Sequence, residues 1–303
     1  MNYDDLANVY LQPLASPIPE PVVPATPARR LRDALEPIAT QGWWSREVST
    51  RIAALGLEDF FGAYVWGRAA ALGEPDASVV VATFGVFETS FLTSVYEAAK
   101  PIASRDAILQ ARADGAAASL TRILGPDAEA EVAEVADALV QATDAADGVA
   151  RPLFSGLRSL PVPSDPYGRL WRGAELVREH RGDSHLAACI GAGLDRVEMT
   201  VMTELWLGYA AGEYLASRGY GPEAVADALG RLSKRGWVNN GFLSATGLAV
   251  RNNIEATTDL AQQELVDALG DQLDQIVERT AAWSKAVVDA RAFPPDPRKR
   301  AAG

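Results

Sequence analysis

The chain has 303 residues and a mass of 32.2 kDa; 48% of its residues are apolar and 22% charged, values ordinary for a globular protein. Twenty-eight basic against 40 acidic side chains give a formal charge of −12. That balance argues against wholesale nucleic-acid binding, though not against one small basic module. A single cysteine, Cys189, excludes an internal disulfide and a cysteine zinc cluster, and no apolar run of 18 residues offers a membrane span. The start carries Asp4 and Asp5 where a signal peptide needs positive charge, so a cytoplasmic location is expected. Four lysines beside 24 arginines, in an alanine-rich chain, suggest a high-GC genome.

Six prolines between positions 12 and 27 deny that stretch helix or central strand, because proline lacks a backbone donor and fixes φ. A disordered arm is therefore expected over residues 1–28. The proline-rich and basic residues 291–303 read as a second such tail. Between them the spacing is helical. Ala28 to Thr40 places Leu31, Leu35 and Ile38 on one face, and a second helix is expected from Glu47 to Trp66, ending in an aromatic run. Val79 to Phe87 is β-branched, but without a partner strand it is read as a buried helix broken near Gly85. Ser104 to Leu124 closes at Gly125-Pro126. Asp127 to Asp147 is amphipathic, with Val132, Val135, Ala136, Leu139 and Val140 on one face.

A Pro/Gly cluster at 148–168 breaks the pattern and is the best internal boundary. It separates an N-terminal helical domain, 29–150, from a C-terminal one, 151–290. Helices are then expected from Tyr167 to His180, Ser184 to Arg218, Pro222 to Arg235, and Leu243 to Asp289. The architecture expected is all-α, a two-part helical bundle whose segment 218–258 is winged-helix-like.

Both histidines of the chain lie in Arg178-Glu179-His180-Arg181-Gly182-Asp183-Ser184-His185. One reading is a plain connection between helices, with Gly182 after one and Asp183 or Ser184 capping the next. The other is a site: His180 or His185 as general base, Asp183 orienting it, and Arg178 or Arg181 clamping an anion. A metal would need a bent connection, because an i, i+5 pair lies about 140° apart on a continuous helix; no metal is assigned. Aromatic residues are natural pocket walls; Trp66, Trp171 and Trp206 are the candidates, with Arg68 as an anion partner. No Gly-rich phosphate loop, Walker motif or nucleophile elbow is present, so no organic cofactor is expected.

Residues 222–247 run as a helix ending Leu232-Ser233-Lys234-Arg235-Gly236-Trp237-Val238, a turn at Asn239-Asn240-Gly241, and a restart at Leu243-Ser244-Ala245-Thr246-Gly247. This resembles the recognition helix and wing of MarR-like winged helices. With Val177 to His185, the chain resembles an actinobacterial family of helix-turn-helix proteins over most of residues 29–270. The resemblance implies a DNA-reading helix bearing Arg231, Lys234 and Arg235, and a homodimer. The wing is short, however, and residues 218–258 carry only five basic against three acidic side chains. Two functions stand side by side: a small-molecule-binding protein of regulator descent, with DNA as a second partner, and an enzyme acting on a small anionic or aromatic metabolite. No membrane partner is expected.

Overall fold

The computed structural model describes residues 1–302. Its elements in chain order are α1 (Tyr3–Tyr10), α2 (Pro27–Ala39), α3 (Gln41–Trp44), α4 (Arg46–Ala53), α5 (Phe60–Ala69), α6 (Ala77–Phe84), α7 (Thr89–Ala99), α8 (Arg105–Leu124), α9 (Glu129–Ala145) and α10 (Pro152–Arg158). Then follow α11 (Pro166–Gly191), α12 (Arg196–Leu207), α13 (Pro222–Lys234), β1 (Val238–Asn239), β2 (Phe242–Leu243), α14 (Ala245–Leu260), α15 (Gln263–Leu269), α16 (Leu273–Asp289) and α17 (Pro297–Ala302). The fold is all-α apart from one antiparallel hairpin, in which Val238 faces Leu243 and Asn239 faces Phe242. Asn240 and Gly241 both take positive φ, the geometry of a two-residue turn that matches strand twist.

The organising element is α11. Its 26 residues extend about 39 Å at 1.5 Å per residue. Pro166 stands in the first turn, where its missing N–H costs nothing, and Asp165 caps the helix by accepting from the Gly168 N–H at 2.6 Å. One end of α11, Leu170 to Val177, lies in the main core and packs on α2, α8 and α9. The other end carries Cys189 into a second core formed with Met199, Val201 and Met202 of α12, Val225, Ala228 and Leu232 of α13, Val238 and Ile254. The main core also takes in α4, α5, α6, α7, α10, α15 and α16. The amphipathic stripe expected at 127–147 forms α9, and Val132, Val135, Ala136, Leu139 and Val140 are all buried. The helix expected at 79–87 ends where Gly85 adopts φ +67°.

Several expectations need correction. Residues 178–185 are neither a connection nor a bend; they lie within α11. The polar run continues as helix because α2, α5, α14 and α15 bring it charged partners: buried Glu36 and Glu255, nearly buried Arg68 and half-buried Glu264. The stretch 148–168 does not divide the core: Leu139, Phe154 and Trp171 belong to one cluster. The long helices expected at 47–66, 184–218 and 243–289 are each broken, at turns containing positive-φ glycines such as Gly56, Gly208 and Gly270. The ends are not disordered as expected. Helix α1 has a capping box at Asn2 and Asp5 and buries Leu6. At the other end Phe293 is buried, and the Arg29 guanidinium donates to the Ala301 carbonyl at 2.9 Å.

Candidate functional site

Helix α3 and the first turns of α5 supply Trp43, Trp44, Phe60, Phe61 and Tyr64. They meet edge to face, tilted or, for Phe60 and Tyr64, stacked, with Trp43 to Tyr64 at 5.4 Å and Trp44 to Phe60 at 5.8 Å between centroids. These rings wall a cavity of about 90 Å³, completed by Glu36, Thr40, Arg178, Tyr214, Ser217, Arg218, Phe293, Lys299 and residues of α1. A second cavity of about 140 Å³ adjoins it. Its walls are Arg29, Arg68, Phe84, Phe87, Arg178, Glu179, Arg181, Gly182, Asp183, His185, Arg251 and Glu255, among others. The two cavities meet at Tyr64, Arg178, Tyr214 and Arg218.

The arginines are held by buried carboxylates. Arg178 Nε donates to Glu36 at 3.1 and 3.2 Å, its other nitrogen to Glu179 at 2.8 Å, and its cation lies 5.0 Å from the Trp43 ring. Arg68 clamps both oxygens of Glu179 at 2.7 and 2.9 Å and faces Phe84 at 4.7 Å. Glu255 is shared by Arg29 at 2.9 Å, Arg181 at 2.8 Å and Arg251. Arg181 also reaches Asp259 at 2.9 Å. Burial opposes ionisation of Glu179 and Glu255, yet the guanidiniums outweigh it and hold both carboxyls below the usual range.

His180 is fully buried and lines neither cavity. Gln262 donates to its Nδ1, which places the proton on Nε2, 3.0 Å from Glu264 Oε1. Phe154 packs edge-on at 4.8 Å. Burial and the nearby Arg151 push this imidazole down to about 4, so it is neutral. The expectation that His180 points into a pocket is corrected: the continuous helix turns it toward α10 and α15. His185 points the other way, toward α14. Thr258 gives its hydroxyl proton to Ile254, so His185 Nδ1–H donates to Thr258 Oγ at 3.1 Å and Nε2 accepts from the Cys189 thiol at 3.5 Å. Burial drives His185 down to about 3 and Cys189 up to about 12, leaving a neutral pair rather than an activated thiolate. Thiol reagents at pH 7 should therefore label Cys189 only at the rate of unfolding; prompt labelling of the native chain would place the thiol elsewhere.

Asp183 lines the second cavity but caps α10, accepting from the Phe154 N–H at 3.1 Å. Burial, then repulsion from Glu179, raises it to about 7. A folded-state value above the unfolded one stabilises fully below the unfolded value and loses that contribution as pH rises through about 7. Asp183→Asn keeps a cap oxygen and removes the titration. Its stability relative to the parent should rise between pH 5 and pH 8 in urea melts; a constant difference would contradict this account.

Of the tryptophans singled out, Trp66 and Trp171 are core residues that line neither cavity, donating to the carbonyls of Ala103 at 2.9 Å and Ala39 at 3.1 Å. Trp206 also lies outside both cavities, beneath Arg251 at 4.2 Å and Arg29 at 5.7 Å. Arg68, Arg178, Arg181, Asp183 and His185 do share the second cavity. Sequence reasoning missed the aromatic cavity's own anchors, Glu36, Tyr214, Arg218 and Lys299.

The connection between α12 and α13 puts Tyr214 and Arg218 there. Buried Glu204 accepts from the backbone N–H groups of Gly212 at 2.8 Å, Tyr214, and Leu215 at 2.8 Å, fixing this loop around one carboxylate. Residues Leu215–Arg218 then form a 3₁₀ turn. The Arg218 carbonyl receives the Glu88 N–H at 2.9 Å, and Gly219, at φ +87°, passes so close to Phe91 that a Cβ would lie 2.7 Å from the ring.

On α13, Arg231 pairs with Asp195 at 2.6 Å and Glu198 at 3.1 Å, and Arg235 with Glu198 at 3.2 Å. Lys234 is exposed, and the first half of the exposed face carries Glu223 and Asp227. Among the described residues no group of three or more His, Cys, Asp or Glu side chains is arranged to hold a metal, and no helix is long and apolar enough to cross a membrane.

The model of a helix-turn-helix family matches residues 28–294, and the chain belongs to that family. No curated protein and no solved structure matches it.

Proposed function

We propose that this chain is a small-molecule-binding protein of winged-helix regulator descent, in which ligand in the aromatic chamber acts on the helix–hairpin–helix unit. One observation carries the reading: Tyr214, Ser217 and Arg218, which close the aromatic cavity, lie on the connection between α12 and α13. A ligand seated there touches the N-terminal helices and that connection together. It can shift the unit only as far as it binds two arrangements unequally. The MarR-like likeness fits the order α12, α13, hairpin, α14, with α13 in the place of the reading helix.

DNA is the expected output partner, but the arrangement described is not a strong reader. Arg231 and Arg235 are spent on Asp195 and Glu198, leaving Lys234 as the free cation of the three. Retention of DNA should be weak, salt-sensitive and lost when all three become alanine. The enzyme reading finds less support: His180 and Asp183 share no cavity, and His185, which does line the cavity of Asp183, is bound to Thr258 and Cys189 and pushed by burial down to about 3, too low for an effective base at pH 7.

The test is a thermal-shift screen of the purified chain against a metabolite library. At least one small molecule should raise the melting temperature in a concentration-dependent way. A library of broad chemistry that yields none would overturn the reading.

A further inference from the structure

The aromatic cavity holds two cations that no carboxylate contacts, Arg218 and Lys299. Arg29, Arg68, Arg178, Arg181 and Arg251 each meet at least one carboxylate. Arg218 meets none within 4 Å among the described residues, and its Nε is buried without a hydrogen-bond partner. Its terminal nitrogens donate to Ser217 Oγ at 3.3 Å and to the Tyr214 hydroxyl, neither of which carries charge, and the guanidinium lies between rings, 4.3 Å from Tyr214 and 4.8 Å from Phe87. Lys299, from α17, approaches the same Tyr214 ring at 4.7 Å and likewise has no carboxylate within 4 Å. Burial, reinforced by the Arg218 charge and only partly offset by the more distant Asp296 and Glu213, pulls its ammonium down to about 8. Two cations on one tyrosine ring, neither in contact with a carboxylate, repel each other; an anion between them removes that repulsion and supplies charge-assisted hydrogen bonds.

We propose, building on the ligand-binding reading above, that the ligand is an aromatic carboxylate whose anionic end sits between Arg218 and Lys299 and whose ring lies among Trp43, Trp44, Phe60 and Tyr64. An apolar cavity of about 150 Å³ takes up benzene; the aromatic cavity alone, about 90 Å³, is smaller than that, but joined to the second, about 140 Å³, it suits one ring with a short acidic arm. The neighbouring Glu36 is already tied to Arg178, so it leaves the two free cations to the ligand. Anion binding at Arg218 would act directly on the turn that precedes α13.

The experiment is isothermal calorimetry with phenylacetate, its neutral isostere phenylacetamide, and acetate. Phenylacetate should bind, phenylacetamide at least tenfold more weakly, and acetate weakest because it lacks the ring. Arg218→Gln should weaken phenylacetate tenfold or more, with Arg218→Lys intermediate; Lys299→Met should weaken it by a smaller factor. Arg218→Gln strands no buried carboxylate, so it should fold, and its unchanged melting temperature without ligand checks this. The anion assignment is overturned if the screen finds ligands yet phenylacetamide binds as well as phenylacetate, if phenylacetate does not bind, or if Arg218→Gln leaves its affinity unchanged. A screen without any ligand overturns the underlying reading instead.

Discussion

Replacing Glu255 with glutamine is expected to lower the folding free energy by about 3–5 kcal/mol, the scale for removing one partner from a buried ion pair. Glu255 is 2% exposed and is the shared counter-charge of Arg29, Arg181 and Arg251. Glutamine removes the charge and turns an amide N–H toward guanidiniums that can only donate. Part of the loss is recovered through Asp33 and Asp259, which hold Arg29 and Arg181 independently; Arg251 has no second carboxylate. Urea melts at pH 7 measure the effect, with Glu223→Gln on the exposed face of α13 expected to change stability by less than about 0.5 kcal/mol. The same carboxylate makes the parent acid-sensitive. Its folded-state value is depressed, so its contribution is present above the unfolded value and lost as pH falls toward the folded one. Glu255→Gln should flatten that acid limb.

Trp171→Ala should cost a comparable amount, about 3–5 kcal/mol, through lost burial and the cavity left behind. The indole is fully buried where α11 crosses α2 and α8, with Arg112 and Arg172 at 5.4 and 5.3 Å from its ring. Gly42 packs so tightly on it that a Cβ there would lie 2.9 Å from the indole. Arg112 keeps Glu175 at 2.6 Å and the Gly67 carbonyl at 2.8 Å, but loses the aromatic face. Trp171→Phe retains a ring and should cost less than half as much. Equal losses for alanine and phenylalanine would point to the hydrogen bond to Ala39 as the dominant contribution.

Periodicity made α9 and α13 legible because their apolar stripes face one core and their polar faces meet solvent. It failed at 178–185 for a physical reason. Arg178, Glu179, His180, Arg181 and His185 each pair with a side chain 70 or more positions away: Glu36, Arg68, Glu264, Glu255 and Thr258. No local rule distinguishes a buried, cross-paired polar run from a solvated loop. The i, i+3, i+7 spacing of Arg178, Arg181 and His185 did carry a signal of one helical face, the face that now lines the second cavity. The basic end near Lys299 read as a solvated tail, and Arg218 was counted only among cations available to DNA. Their convergence on Tyr214 depends on the backbone cradle around Glu204 and on the return of the chain end, neither of which sequence spacing encodes. Proline counting predicted the lack of helix and strand at 12–26 but not the capped helix before it.

The central claim is that ligand in the aromatic chamber is felt by the connection between α12 and α13. Hydrogen exchange, read by mass spectrometry with and without a saturating compound from the screen, tests it most directly. Slowed exchange should appear together in peptides covering 60–64 and 209–219, with a change of either sign in α13 over 222–234. Protection confined to the N-terminal helices, with 209–234 unaltered at saturation, would contradict it.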